Sequence, residues 1–418
     1  MRILFLTQII PYPPDSGPKV KTWHVLRYLA ARGHRVTLAS FVRPEEEPFV
    51  EEIRKVCEAV YTVPIHRSRP ADVGYWLRSN WTGRPFLIER DDLSEMRSLV
   101  QRLVKSEQVD VIHADQLRMA QFALPFPSHV RIFDAHNAVW TIVDRMRQNA
   151  PWFLKPVAAL ESWRVKRYEG MIVREFDHTL AVTSPDRQSL LEAVAASSEV
   201  GAPLDSSKIT VVPIAVDTLQ LQPVIRQVDS TNLLTLGTLH YPPNADGIRW
   251  FVREVFPLVR RQMPAVTLTI VGKNPPADLV QFAKQQPNAI TVTGYVSDLD
   301  PYIQKAALMV IAVRAGGGMR VRILEAFARA VPVVTTTIGL EGIEARPGED
   351  VMVADTPAVF AQMVVELLRD RPLQEQLASN GRRLAECCYD WQVVLQKMDQ
   401  VYTVNGSDKA QNMRNGYA

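Results

Sequence analysis

The sequence predicts an α/β protein with two doubly wound, mostly parallel sheets. Short apolar runs alternate with helical patterns along most of the chain, as in folds of this class. The alternation restarts after residue 230, and 418 residues are too many for one ordinary core. We therefore expect two Rossmann-like domains that face a central cleft, the first at residues 1–220 and the second at residues 230–389.

The first domain begins with the apolar run Ile3–Thr7, which predicts a buried strand. After a proline-rich loop, apolar residues at helical spacing predict a helix that ends near Gly33, a residue type favoured at helix C-caps. Later apolar runs predict strands at residues 36–41, 60–65, 109–112, 130–133 and 179–182.

The second domain repeats this pattern. We predict helices near residues 246–262 and 277–285, a linker at 217–230, and strands at residues 233–237, 266–272, 290–296, 307–313 and 331–334. A last helix, at 390–404, is predicted to pack back on the first domain. The polar tail at 405–418 is predicted to be disordered.

Composition excludes several classes of function. A net charge of +3 argues against a nucleic-acid partner, and the chain has no apolar run long enough to span a membrane. Neighbouring Cys387 and Cys388 are predicted to be buried helical residues, with a redox pair as the alternative. We expect a cytoplasmic protein, with the inner face of the membrane as a second possible location.

The most informative segment lies between two predicted strands. Three glycines, at 316 to 318, precede Arg320, Arg322 and Glu325. Glycines let a phosphate approach backbone N–H groups, while a helix N-terminus and arginines supply positive charge. A carboxylate one turn later can accept hydrogen bonds from sugar hydroxyls. This combination suits a nucleotide-diphosphate sugar; a solvated helix face is the alternative for the two arginines.

Further motifs occur in a specific order and spacing. They are PYPPDSG (11–17), ARGHRVTL (31–38), FDAHNAVW (133–140), DHTLAVTSPD (177–186), VVPIAVDT (211–218), GTLHYPPNADGIRWF (237–251), IVGKNPP (270–276), VTGYVSDLDPYI (292–303) and the segment 316–342. Together they resemble the motifs of the GT-B glycosyltransferases. The similarity is to the retaining "group 1" family (family four), and within it to a subgroup found with exopolysaccharide and sorting-system clusters.

This resemblance implies transfer of a sugar from a nucleotide-diphosphate sugar to a hydroxyl acceptor, either a growing exopolysaccharide or a lipid-linked glycan. It implies that the second domain binds the donor and the first the acceptor, without cofactor or metal. Gly317, Gly318, Arg320 and Arg322 would surround the diphosphate. By family resemblance Glu325 would bind the ribose, the backbone of Val296 the nucleobase, and Lys273 would form part of the pocket wall.

Two departures from the family pattern are visible. The family usually carries a Glu-x7-Glu pair, whose second member corresponds to Glu325, yet Gly317 stands eight residues earlier. The arginine and lysine usual after the first strand of the second domain are also missing, because GTLHYPPN (237–244) stands there. We expect Arg320 and Arg322 to replace that charge.

Three residues of the first domain are candidates for the site. Gly17 opens a helix where a phosphate or acceptor could approach, or forms an ordinary turn. His136 follows a strand end, where it could bind the sugar, shuttle a proton, or serve as a structural histidine held by Asp134. Asp115 could bind or deprotonate an acceptor hydroxyl, or cap a helix.

Two other features have competing interpretations. Asp298 and Asp300 match a D-x-D metal motif, but Asp298 is better explained as a helix N-cap, so we predict no essential metal. The segment 151–176 combines aromatic and basic residues. It predicts either contact with an anionic membrane or a helix whose aromatic residues fill the core.

Two rival functions remain at this point. A nucleotide-sugar epimerase on the same fold would convert the donor without an acceptor. A noncatalytic subunit would bind nucleotide or glycan and support a partner transferase, and Gly317 keeps this alternative open. A Rossmann dehydrogenase is disfavoured, since no G-x-G-x-x-G follows the first strand.

Overall fold

A computed structural model describes residues 1–148, 150–197 and 205–402. The chain forms two compact units, one comprising Met1–Ile214 and the chain from Val394 onwards, the other Ala215–Val393. The tail predicted at 405–418 lies outside the described residues, as do the last residues of the helix predicted at 390–404. No helix in the described ranges is both long and apolar enough to cross a membrane.

The first unit is built on a seven-stranded sheet in which every pairing is parallel, in the order β3-β2-β1-β4-β5-β6-β7. Its strands are β1 (Arg2–Thr7), β2 (Arg35–Val42), β3 (Ala59–Pro64), β4 (Val111–Asp115), β5 (Val130–Ala135), β6 (His178–Ala181) and β7 (Ile209–Val211). The central strands are almost wholly buried, as expected for a parallel sheet covered on both faces.

Helices connect these strands. They are α1 (Gly17–Ala31), α2 (Val50–Arg54), α3 (Arg69–Thr82), α4 (Phe86–Glu89), α5 (Ser94–Ser106), α6 (Leu117–Ala123), α7 (Val139–Gln148), α8 (Lys155–Glu175) and α9 (Ser184–Ser197), with short 3₁₀ turns at Pro44–Phe49 and Ser206–Lys208. The second half of α8 packs into the core through Val165, Ile172 and Val173, all buried.

The second unit contains a six-stranded sheet, also parallel throughout, in the order β10-β9-β8-β11-β12-β13. Its strands are β8 (Asn232–Leu236), β9 (Thr267–Val271), β10 (Ile290–Gly294), β11 (Ala306–Ile311), β12 (Val333–Thr335) and β13 (Met352–Val353). The prediction of two parallel α/β sheets is confirmed. The short strands β7 and β13 were not predicted, because two or three residues carry too little periodicity.

The helices of the second unit are α10 (Pro242–Trp250), α11 (Phe256–Gln262), α12 (Ala277–Gln285), α13 (Asp300–Lys305), α14 (Val321–Ala328), α15 (Pro357–Arg369), α16 (Arg371–Leu384) and α17 (Trp391–Val394). The helix expected near 246–262 begins earlier, at Pro242, and a π-helical turn at Phe251–Val255 interrupts it. Pro257 accounts for the interruption, because proline cannot donate the backbone hydrogen bond of a continuous helix.

The prediction for the two neighbouring cysteines is wrong. Cys387 and Cys388 are both exposed, whereas Cys57 is buried. They lie in a second π-helical turn, Ala385–Tyr389, whose buried residues are its first and last. The two Sγ atoms are 3.0 Å apart on the surface.

Candidate functional site

The first unit has a cluster of polar side chains at the carboxyl ends of its central strands. Thr7 ends β1, Asp115 ends β4, and Asp134 lies opposite Asp115 in the register of β5. His136 follows the last residue of β5. The sheet order changes direction between β1 and β4, and ligands of open α/β sheets bind at such switch points.

Asp115 lies at the centre of this cluster and is fully buried. Its Oδ2 accepts hydrogen bonds from the Thr7 hydroxyl at 2.7 Å and the Thr22 hydroxyl at 3.0 Å. Its Oδ1 lies 2.7 Å from Nε2 of His136. Asp115 therefore holds the His136 ring, and the structure offers no solvent-exposed surface of this carboxylate to an acceptor hydroxyl.

His136 is held by Asp115 rather than by Asp134, and it is 7% exposed. Its Nδ1 is buried and has no hydrogen-bond partner among the described residues. Buried nitrogens without a partner are uncommon and call for an explanation, such as a bound water or a ligand. The imidazole is thus fixed at one nitrogen and available at the other.

Asp134 forms a buried ion pair with Lys21, from the second turn of α1. Burial alone would raise the pKa of Asp134, but the charge of Lys21, with smaller contributions from His113 and His136, holds it well below its usual range. Gly17 is the first residue of the same helix and is half-buried. Its position lets the next turn of α1 deliver Lys21 and Thr22 to the cluster.

The chain beyond Val394 completes this cluster from the other end of the sequence. The Tyr402 hydroxyl lies 2.7 Å from Nδ1 of His113, and Nε2 of His113 lies 3.6 Å from Oδ2 of Asp134. Asp399 accepts hydrogen bonds from Tyr28 of α1 and from Arg32, the C-cap residue of that helix. Burial, followed by the charges of Asp134 and Asp115, raises the pKa of Tyr402 well above its ordinary value.

Within the described residues, His113, Asp115 and Asp134 bring potential metal-ligand atoms within 4.8 Å of one another. Their contacts do not suit a metal ion. Both oxygens of Asp115 already face hydroxyl or imidazole partners, and the Lys21 ammonium occupies Oδ1 of Asp134. A divalent cation beside that ammonium would be repelled.

The sequence did not indicate Lys21, Thr22 or Tyr402 as members of this cluster. Lys21 is 2% exposed and stands next to Val20 on the buried side of α1. A lysine among buried helical positions signals a buried partner, since ammonium groups are rarely buried alone. The partner itself, 113 residues away, follows only from the fold.

In the second unit, the equivalent switch point lies between β8 and β11. The glycine loop follows β11, and Gly316 and Gly318 adopt φ values of +100° and +80°, which side chains rarely tolerate. Gly317 lies between them, half-buried. The loop therefore depends on glycine for its backbone path as well as for ligand access.

Arg320 is the N-cap residue of α14. Residues two positions apart within a helix point to different faces, so Arg320 and Arg322 could contact one phosphate group only if Arg320 lies at the start of the helix, as it does. Its Nη1 donates to the carbonyls of Gly317 and Gly318, at 2.7 and 3.0 Å. The guanidinium thus connects the start of α14 to the glycine loop and holds the loop in place. This brace orients the loop whether or not the arginine also contacts a ligand.

Arg322 and Glu325 form an ion pair one turn into α14, with Nη1 of Arg322 2.7 Å from Oε2 of Glu325. Both side chains are partly exposed, at 31% and 18%. The pair follows from their i, i+3 spacing. The pair places a positively charged hydrogen-bond donor and a negatively charged hydrogen-bond acceptor beside the glycine loop.

Two other predicted residues lie on neighbouring loops of this unit. The Lys273 ammonium lies 4.6 Å from the centre of the Tyr295 ring, which places the loops after β9 and β10 side by side. Val296 follows Tyr295 and is half-buried. Both residues belong to loops at the carboxyl end of the sheet.

Close packing fixes the positions of these loops. A Cβ added to Gly247 in α10 would lie 2.1 Å from the Ala312 carbonyl oxygen, and one added to Gly272 would lie 1.9 Å from that of Gly237. Such distances exclude a side chain at either position. The two glycines therefore allow α10 and the loops after β8, β9 and β11 to approach one another.

A cavity of about 300 Å³ lies in the second unit at the amino ends of β8 and β9. It is lined by polar residues that include Asn232, Thr267 and Lys305. It contains none of the predicted site residues, which follow the opposite ends of these strands.

Residues 230–370 match the family model described as glycosyl transferases group 1. The match includes Lys273, Val296, the glycine loop and the Arg322–Glu325 pair. The buried cluster of the first unit lies outside it.

Two curated proteins resemble the chain. A protein in the cps region of Klebsiella pneumoniae is 27% identical over 165 residues, covering 38% of this chain and 42% of that one. The chain thus spans about two fifths of that relative's length. The glycogen synthase of Mycobacterium tuberculosis is 25% identical over 424 residues, which covers 96% of this chain and 94% of the synthase.

Solved structures extend the similarity to the whole fold. Sucrose-phosphate synthase from Thermosynechococcus elongatus superposes with a TM-score of 0.69 at 16% identity, covering 96% of this chain and 98% of that one. HepE from Anabaena, in complex with UDP, gives a TM-score of 0.67 at 13% identity, covering 97% and 100%. The glycosyltransferase domain therefore belongs to a chain with the GT-B fold.

Proposed function

We propose that this glycosyltransferase moves a sugar from a nucleotide-diphosphate sugar to a hydroxyl of a glycan acceptor in polysaccharide synthesis. The observation that carries the proposal is the group 1 domain at residues 230–370, with its glycine loop and Arg322–Glu325 pair at the sheet's switch point. The cps region of the Klebsiella relative supports the polysaccharide context.

We further propose a uridine donor. HepE was solved with UDP and with UDP-glucose. A nucleoside diphosphate needs positive charge and backbone N–H donors, which the loop at residues 316–318 and the arginines of α14 can supply. Glu325 would accept hydrogen bonds from the ribose hydroxyls.

In the proposed reaction, the bond between the anomeric carbon and the diphosphate oxygen breaks, and a bond to the acceptor oxygen forms. The proton of the acceptor hydroxyl would pass to an oxygen of the departing diphosphate, which leaves with the electron pair of the broken bond. Arg322 and the loop N–H groups would stabilise that negative charge without a metal ion. We expect retention at the anomeric carbon, although Gly317 replaces the glutamate that usually contacts the donor sugar.

We assign acceptor binding to the first unit. His136 would contact a substrate hydroxyl through Nδ1, because Asp115 already holds Nε2. Asp115 then acts as a positioning residue rather than as the group that deprotonates the acceptor. The ion pair of Lys21 with Asp134 would keep the strand ends rigid beneath it.

Thermal stabilisation by UDP, GDP, ADP, TDP and CDP, each with EDTA, tests the donor assignment. We expect a selective rise of the melting temperature with UDP that is lost in Arg320→Ala. Arg346→Ala is the control, because it removes an arginine of the same unit that pairs with Glu349 on the surface instead of contacting the glycine loop. No rise with any nucleotide would contradict a metal-free nucleotide site.

The products distinguish the rival functions. Release of UDP that depends on a glycan acceptor supports transfer. Conversion of the donor sugar without acceptor would indicate an epimerase, and tight nucleotide binding without any turnover would indicate a noncatalytic subunit.

A further inference from the structure

The first unit exposes an unusual amount of aromatic surface on α3 and around the start of α8. In α3, Val73, Leu77 and Trp81 recur at i, i+4 and i+8, and they are 60%, 59% and 92% exposed. Trp76 stands beside them, 47% exposed. Ser79 is the only residue of α3 that is buried, so this helix contributes almost nothing to the core.

The start of α8 has the same character. Trp152 and Phe153, just before the helix, are 82% and 61% exposed, and their rings contact edge to face. Val157, Leu160 and Trp163 follow at three-residue spacing and are also exposed. The aromatic residues of this segment therefore do not fill the core, which begins only at Val165.

The two apolar segments lie side by side. Nη1 of Arg164 in α8 lies 3.3 Å from Oδ1 of Asn80 and 3.4 Å from Oγ of Ser79 in α3. Among the described residues, the exposed tryptophans of the whole chain are Trp76, Trp81, Trp152 and Trp163, and all four lie here. We call α3 together with residues 152–163 the aromatic surface.

Basic residues outnumber acidic ones along the chain that leads into and out of residues 152–163. From Val139 to Arg167 the chain has six basic residues and two acidic ones, Asp144 and Glu161. The Arg167 guanidinium stacks 4.9 Å from the Trp163 ring, so cation and aromatic ring share one face.

We propose that the aromatic surface docks on an anionic lipid bilayer. Tryptophan rings prefer the headgroup region of a membrane, and basic residues are attracted to anionic lipid headgroups. Soluble proteins rarely expose contiguous apolar surface of this kind without a partner. A lipid surface satisfies both the aromatic and the basic side chains. The inference rests on this surface alone and does not require the transfer reaction.

Vesicle sedimentation with the full chain tests the proposal. Wild-type protein should bind phosphatidylcholine vesicles that contain phosphatidylglycerol, bind pure phosphatidylcholine more weakly, and dissociate at high salt. Brominated lipids should quench the tryptophan fluorescence of the bound protein. Failure to bind phosphatidylglycerol vesicles would overturn the proposal.

The double variant Trp81→Ser with Trp152→Ser should bind at least tenfold more weakly. The matched control, Ile225→Ser with Val228→Ser, removes equally exposed apolar residues elsewhere and should bind like the wild type. Both variants should melt near the wild-type temperature and keep nucleotide binding, since neither touches the donor loops. Unchanged vesicle binding of the tryptophan variant would contradict the proposal.

Size-exclusion chromatography at several concentrations tests the alternative that a second copy of the chain, rather than a membrane, covers the aromatic surface. If the wild type forms a dimer that the tryptophan variant loses, and neither binds vesicles, the aromatic surface is an interface between two copies of the chain and the membrane proposal is wrong. A monomeric wild type that binds anionic vesicles supports it.

Discussion

In the first unit, the carboxyl ends of β1, β4 and β5 carry a buried network of charged side chains, whereas in the second unit the end of β11 leads into a half-exposed glycine loop followed by arginines. In each sheet the first strand of the unit, β1 or β8, lies between the second strand of that unit and a later one, β4 or β11, so the strand order changes direction at the same position. All strands of both sheets are parallel. The shared topology therefore places a site in each unit without specifying its chemistry, which local residues decide.

The largest expected effect is on the buried network. Lys21→Met leaves Asp134 buried without its cation, and we expect unfolding to become easier by about 3–5 kcal/mol. Lys55→Met is the matched control, because Lys55 and Glu52 form an exposed ion pair worth less than about 1 kcal/mol. Chemical denaturation of both variants measures the difference.

Replacing both members of the pair sharpens this test. Lys21→Met with Asp134→Leu removes the stranded charge and should recover much of the lost stability. Equal losses in Lys21→Met and Lys55→Met would mean that the network contributes no more than a surface pair, and the contrast between the two units would disappear.

The next effect concerns pH. Burial raises the pKa of Glu169 to about 8, although its carboxylate accepts hydrogen bonds from the backbone of Val139 and Trp140 at the start of α7. The folded state therefore holds this proton where the unfolded chain has lost it. Stability from this group is fully present below about pH 4.3, the unfolded value, and falls as pH rises towards 8, by roughly 5 kcal/mol in total.

Denaturation between pH 5 and 8 measures this slope, and Glu169→Gln should flatten it. Asp134 has the opposite sign, because its pKa is depressed: its contribution is present above about pH 3.9 and is lost as the solution becomes more acidic. If Glu169→Gln leaves the slope of unfolding free energy against pH unchanged, other groups cause the pH response.

The donor loop gives an intermediate effect, on turnover rather than on folding. Arg320→Ala removes the brace on Gly317 and Gly318, and Glu325→Ala removes the proposed ribose contact. Each should lower turnover at least tenfold, about 1.4 kcal/mol of transition-state stabilisation. Arg346→Ala serves again as the control. Wild-type rates in both variants would exclude this loop from the donor site.

The same contrast explains how far the sequence alone could go. Apolar periodicity is a local pattern, and it predicted most strands of both sheets. The Arg322–Glu325 pair is also local, because it follows from the i, i+3 spacing, although the sequence pattern assigns the two residues to a ligand. The network of the first unit joins residues 113 and 289 positions apart, which no local pattern records. Asp115 was placed correctly at a strand end, but its burial and its contact with His136 depend on how three strands and α1 pack.

Arg320 shows a second way in which the structure goes beyond the sequence prediction. Its sequence position suggested a phosphate ligand, and the structure adds a role that the sequence could not indicate, since the path of a glycine-rich backbone is poorly determined by residue type. The aromatic residues at 152–163 were equally compatible with a core or a surface, because helical spacing defines a face without defining what covers it.

The smallest effect tests whether the end of the chain belongs functionally to the first unit's network. Tyr402→Phe keeps the ring stacked near His113 but removes the hydroxyl at Nδ1, and should cost about 1 kcal/mol of stability. If the hydroxyl also orients His113 towards Asp134, turnover of the variant should fall with little change in KM, while its nucleotide binding stays normal. Tyr28→Phe, which removes a hydroxyl bonded to Asp399 outside the network, is the control. Equal turnover in the two variants would limit Tyr402 to packing, and the network would then end at His113.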